Sequence, residues 1–185
     1  MNNKYYEKID YELLDKKIAY KGKRVLVEEL HYKNPRTNQI LYREHVLVGN
    51  AAIIIPETND GKFIMIREPR TPVGLTVLAF PAGIIEKGEL EEDGAIRELE
   101  EETGYRARSI KKLTDVYTTV GYSNEKTTIF LAKDFIKTER HLDETEDIEV
   151  IELPKDEVKK LLDNGDIKTS SEAIGLLHYF MYENK

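Results

Sequence analysis

Cysteine is absent from the 185 residues. That excludes a disulfide framework, a thiol nucleophile and a zinc–thiolate site, and a reducing cytoplasm is the simplest expected setting. Nor is there a run of about 18 apolar residues, so no membrane span is expected. The opening stretch MNNKYYEKIDYELLDKK mixes charges without an apolar segment and is not expected to act as a secretory signal. Basic residues are in the minority, 28 against 35 acidic, for a net charge of −7. A nucleic-acid backbone calls for a basic face, so nucleic acid is not an expected partner. A small anionic substrate stays compatible with this charge if cations bridge the two negative partners. No internal repeat or low-complexity tract interrupts the chain.

Apolar residues make up 40% of the sequence and charged residues 34%, enough for a core beneath a well-solvated surface. The length fits one domain with a small appendage. Residues 1–48 form the expected appendage. It carries β-type runs at 17–20, 24–31 and 40–47, the last two separated by the turn-like Lys33-Asn34-Pro35-Arg36-Thr37-Asn38 and read as a long hairpin. Few large apolar residues belong to this part, so it is expected to pack on something else, either the main domain or a second subunit.

Residues 49–185 form the expected main domain. Strands are predicted at 51–55, 62–67, 75–80, 109–117, 127–132 and 148–153, with Asn59-Asp60-Gly61 as turn chemistry between the first two. Helices are predicted at 91–103, closed by Gly104 as a C-cap, at 155–163, and at 170–182 with Ser170 or Ser171 as cap. Strands and helices alternating in this way suggest an α/β sandwich.

The helix at 91–103 carries the chemistry. At about 100° per residue, Ala95, Ile96, Leu99 and Thr103 cluster on a side that would face the core. Glu98, Glu101 and Glu102 stand at i, i+3 and i+4 and share a second face. Three carboxylates on one face repel one another, and a hard divalent cation removes that cost; oxygen ligands suit Mg²⁺ or Mn²⁺. An acidic run is also the ordinary composition of a solvated helix face, and the triplet alone does not decide between the two. The wider spacing does. Gly83-x5-Glu89-x7-Arg97-Glu98-Leu99-x-Glu101-Glu102-x-Gly104-Tyr105 is a long and demanding pattern.

This segment resembles the Nudix box, and on it the chain resembles the Nudix hydrolases. The resemblance implies an α/β/α sandwich with a mixed β-sheet, a β-rich N-terminal subdomain, and hydrolysis of a nucleoside diphosphate linked to another group. It places Glu98, Glu101 and Glu102 on metal-ligand positions, Arg97 on a position that orients a carboxylate of the same helix, and Glu89 on one that ties the loop to it. Gly83 and Gly104 fall on backbone-geometry positions.

After about residue 20 the chain resembles in particular the ADP-ribose and ADP-sugar pyrophosphatase branch. Its N-terminal part then implies a homodimer. Phe80-Pro81-Ala82-Gly83 matches the branch's entry to the box, where the Ala82 carbonyl would be a further Mg²⁺ ligand. Arg70 matches an arginine directed at the diphosphate or ribose. Asp143-Glu144-Thr145-Glu146-Asp147 resembles the loop carrying the catalytic base, with Glu144 the first choice and Glu146 the second. Tyr122, next to Gly121, could stack on a base or ribose. Two places depart from the branch: Val120 stands where a proline is usual, and Glu68-Pro69-Arg70 replaces a Gln-aromatic-Arg triplet. The expected reaction is ADP-ribose to AMP and ribose 5-phosphate. Alternatives are another nucleotide sugar such as GDP-mannose, a dinucleotide, or a non-catalytic sensing domain. The last usually has an eroded box and an added DNA-binding module, and neither is seen here.

Overall fold

A computed structural model describes residues 6–183. Positions 1–5 of the expected appendage and 184–185 of the expected main domain lie outside the described residues. The chain divides into two units. One holds the residues up to Val48 together with Thr119–Glu125, and the other holds the rest.

The first unit is a three-stranded antiparallel sheet, β1 (Glu12–Lys21), β2 (Leu26–Lys33) and β3 (Ile40–Leu47), in the order β1-β2-β3. The expected hairpin is β2–β3, in register from Leu26↔Leu47 to Lys33↔Ile40. Its turn closes through Asn38 N–H to the Asn34 carbonyl at 2.8 Å, with Asn38 at φ 58°, a left-handed conformation that asparagine tolerates. Strand β1 is longer than the run at 17–20 suggests. Every one of its residues is exposed, so no alternation of apolar and polar residues marks its ends. Segment 119–125 is clipped to the end of β3: Val46 N–H donates to the Tyr122 carbonyl at 2.7 Å, and Val48 N–H to Asn124 Oδ1 at 2.9 Å.

The second unit is an α/β sandwich. Its four-stranded mixed sheet has the order β7-β4-β9-β8, where β4 is Ala51–Pro56, β7 Ala82–Ile84, β8 Tyr105–Tyr117 and β9 Lys126–Lys137. Strands β4 and β9 are parallel and the two outer pairs antiparallel. A second sheet, β10-β5-β6, is antiparallel and built from β5 (Lys62–Arg70), β6 (Leu75–Ala79) and β10 (Glu149–Pro154). The three-residue β7 falls outside the expected strands, its Ala-Gly-Ile being too short to show a period.

The central strands explain the layers. On β4 and β9 successive side chains point to opposite faces. Ala52, Ile54, Phe130 and Ala132 meet Ala95 and Leu99 of helix α1 (Glu91–Thr103). Ile53, Ile55, Ile129 and Leu131 meet Phe63 and Met65 of β5, with Val158 of α2 (Lys155–Asp163) and Leu176 of α3 (Ser170–His178). Helix α1 thus covers one face, with α2, α3 and the second sheet on the other. The expected serine cap of α3 is not formed. Thr169 occupies the cap position without a side-chain hydrogen bond, and the last expected helical residues form a π-helical turn, Tyr179–Glu183. Among the described residues no helix is long and apolar enough to cross a membrane.

Candidate active site

Strand β7 and helix α1 bring the two ends of the box together. β7 pairs with β4, Ala52 opposite Gly83, and the chain then loops into α1. Glu91, Glu92 and Asp93 in the first turn suit the positive end of the helix dipole. Gly104 ends the helix as expected, at φ 73°, with its N–H on the Glu100 carbonyl at 2.8 Å.

Arg97 is the hub of the loop. Its Nε and Nη2 hold the two oxygens of Glu89 at 2.9 and 3.0 Å, and Nη2 also donates to the Ile84 carbonyl at 3.1 Å. Glu89 in turn accepts the Glu86 N–H at 2.8 Å, which folds the loop onto the helix. Nη1 reaches Glu98 at 2.8 Å and Glu101 at 2.9 Å. These carboxylates, Glu89 foremost, hold the guanidinium protonated well above its ordinary range. Arg97 against Glu89 depresses the Glu89 carboxyl in return.

Glu98 lies directly against the backbone of Gly83: a Cβ built there would stand 2.0 Å from the Glu98 carboxyl carbon. Only glycine leaves this space. Burial raises the Glu98 carboxyl, Arg97 opposes the rise, and the neighbouring charges of Glu101 and Glu146 add to it. Glu102 goes further. It is only 4% exposed and accepts the Ala82 N–H at 3.0 Å. Burial, with smaller contributions from Glu68, Glu98 and Glu146, pushes its carboxyl up to about 8 against the lowering bond from Ala82. The helical wheel placed this residue with the other two acids away from the apolar face. The structure instead buries Glu102 beneath β7, beside Ala95, Leu99 and Thr103 in the covered part of the helix.

Glu146 lies close enough to act on Glu68, Glu98 and Glu102. Its Oε2 also accepts the Asp143 N–H at 3.0 Å. Glu144 sits in the exposed turn of the same loop. Arg70, at the end of β5, forms an ion pair with Glu68. Tyr122 and Val120 belong to the first unit, where 57% of Tyr122 and 80% of Val120 are exposed.

Two acidic residues join this group without having been among the expected site residues. Glu68 is mostly buried. Its carboxyl is raised by burial and by Glu172 and Glu146, and held back by Arg70. Glu172, on α3, is 6% exposed. Each left a signal in the sequence: Glu68 stands two residues before Arg70 on one face of a strand, and Glu172 is an acid in the otherwise small and apolar run Ser-Ser-Glu-Ala-Ile-Gly-Leu-Leu.

The donor set suits a hard divalent cation. Two mutually repelling carboxyl groups, the half-buried Glu98 and the buried Glu102, adjoin the backbone at Ala82 and Gly83, and every donor atom is oxygen. Among the described residues no three carboxylates or histidines converge as a ready-made cage. Arg97 bonds both Glu98 and Glu101, and Ala82 N–H engages one oxygen of Glu102.

The NUDIX domain matches residues 47–172, and the chain belongs to that family. Among individual relatives, it is 32% identical to the ADP-ribose pyrophosphatase of Bacillus subtilis (strain 168) over 95% of both chains. It is 33% identical to the methanol dehydrogenase activator of Bacillus methanolicus, over 85% of this chain and 84% of that one. A crystal structure of an ADP compounds hydrolase superposes with a TM-score of 0.86, at 22% identity and 97% coverage of each chain. The last likeness shows a shared fold. The protein is a Nudix hydrolase.

Proposed function

We propose that this Nudix hydrolase cleaves the diphosphate of ADP-ribose, giving AMP and ribose 5-phosphate. The observation that carries the reading is the near full-length match to the Bacillus subtilis ADP-ribose pyrophosphatase, with the box intact and its Glu102 buried. Nudix hydrolases generally work with divalent metal ions, and Mg²⁺ is the proposed ion, with Mn²⁺ able to replace it. Glu98, Glu101, Glu102 and the Ala82 carbonyl would hold it. The ion supplies neutralisation of the diphosphate oxygens and a lowered pKa for the attacking water.

The chain's own groups supply the rest. Arg97 holds Glu98 and Glu101 in place, and Gly83 lets the Glu98 carboxylate lie against the strand. Arg70 contributes positive charge for the diphosphate. Water attacks one phosphorus, a new P–O bond forms, and the P–O bond to the bridging oxygen breaks. Glu144 accepts the proton of the water. Among the described residues no hydrogen bond or ion pair engages its carboxylate, whereas Glu146 is tied to Asp143 N–H and its charge acts on Glu98 and Glu102.

A homodimer is proposed on the surface of the first unit. Leu13, Leu14, Ile18, Tyr20, Ile40 and Tyr42 are each 47–58% exposed, and β1 is an open sheet edge. The cytoplasm is the proposed compartment, on the absence of cysteine. The test of substrate is a panel of ADP-ribose, other ADP-sugars, GDP-mannose and dinucleotides with Mg²⁺, read by product analysis. ADP-ribose should give the highest kcat/KM; a clear preference for GDP-mannose would move the assignment to that nucleotide sugar.

A further inference from the structure

The loop at 138–148 is bound to helix α1 at the end where that helix has unsatisfied carbonyls. The last carbonyls of a helix have no partner within it, and positive charge is favourable there. Helix α1 has no basic residue in its last turn. Its carbonyls are answered from a distance in sequence: His141 N–H donates to the Glu101 carbonyl at 3.0 Å, and Arg140 Nε to the Glu102 carbonyl at 2.5 Å. Just beyond, Thr138 N–H donates to the Gly104 carbonyl at 2.8 Å. The second arm of Arg140 crosses the loop, Nη2 donating to the Ile148 carbonyl at 2.5 Å. One guanidinium therefore joins three points: the residue that bears the buried Glu102 carboxyl, the start of the loop and its end. Leu142 and Ile148 pack with Ile66 and Ala79 beneath it.

We infer that Arg140 is a positioning residue for hydrolysis, setting the reach of Glu144, the proposed base, toward the carboxylates of helix α1. A lysine carries the same charge but lacks the rigid fork that spans two carbonyls. Misplacement by about 1 Å can cost on the order of 100-fold in rate. Both arms of Arg140 are engaged by backbone carbonyls, so its loss should act on kcat and leave KM nearly alone. The inference rests on the reading that this loop carries the base.

The experiment is a double-mutant cycle on full-length protein, with ADP-ribose and Mg²⁺, alongside thermal unfolding. Arg140→Ala should lower kcat about 10- to 100-fold with KM changed less than about threefold. Arg140→Lys should fall between the variant and wild type, and stands in if the alanine variant does not fold. In a Glu144→Gln background the same alanine substitution should cost less than about threefold more, because the group it positions is already disabled. An unchanged kcat in Arg140→Ala, or the same fold-loss in both backgrounds, overturns the positioning role. The base assignment is judged separately by Glu144→Gln and Glu146→Gln alone: normal kcat in both removes the base from this loop whatever Arg140 does.

Discussion

The Glu98 carboxyl carbon lies where a side chain on Gly83 would begin, 2.0 Å from the position a Cβ would take. The strand that enters the box and the helix that carries its acids are therefore in direct contact at the reacting end. Gly83→Ala should displace the far end of a flexible side chain, a small cost in stability, and move a proposed ligand, a large one in function. The expected outcome is a melting temperature close to wild type with kcat reduced about 10- to 100-fold. A variant with unchanged kcat would detach Glu98 from the reaction.

Glu102 makes stability depend on pH when no ion is bound. Its folded carboxyl titrates near 8, above the ordinary value of 4.5. Below 4.5 both folded and unfolded chains keep the proton and nothing is lost. Between 4.5 and 8 the unfolded chain releases it while the folded chain does not, so stability falls by up to about 1.4 kcal/mol per pH unit from this group. Glu102→Gln cannot titrate. In EDTA its melting temperature should exceed wild type at pH 8, with the gap closing toward pH 5. A gap independent of pH would show that Glu102 is charged in the folded protein.

Much of this site could be read from residue order, and the parts that could not have physical causes. The box is local: Glu89, Arg97, Glu98 and Gly104 act on neighbours within one loop and one helix, so spacing alone brings them together. The helices at 91–103 and 155–163 agree residue for residue with those in the structure. Burial of Glu102 is different. It depends on β7, three residues too short to announce themselves, lying over the helix. Glu68 and Glu172 reach the cluster from β5 and α3 through tertiary packing, which no spacing encodes. Strand β1 extends beyond its apolar run because all of it is exposed and no alternation marks its ends.

The acidic loop offers two candidates for one proton. Glu144→Gln should lower kcat by roughly 10²–10⁴-fold with KM largely kept, the range of a lost general base. Glu146→Gln should instead raise the Mg²⁺ concentration needed for half-maximal activity, since its negative charge acts on Glu98 and Glu102. Exchanged phenotypes would exchange the roles.

The exposed apolar side chains of the N-terminal sheet are where the proposed homodimer would form. Light scattering should report twice the chain mass, and Leu13→Asp with Ile18→Asp should shift the protein toward a monomer, because each charge would be buried in the proposed interface. A wild-type monomer would leave that surface unexplained and remove the dimer from the proposal.

The most direct measurement is turnover of ADP-ribose by wild type and by Glu102→Gln across a Mg²⁺ titration, with folding of the variant verified by circular dichroism. Wild type should form AMP and ribose 5-phosphate only with the ion present. The folded variant should lose at least about 100-fold in kcat at every Mg²⁺ concentration, as expected when charge stabilisation by the ion is removed. Near-normal turnover in Glu102→Gln would contradict the assignment of the helix carboxylates to metal-assisted diphosphate cleavage.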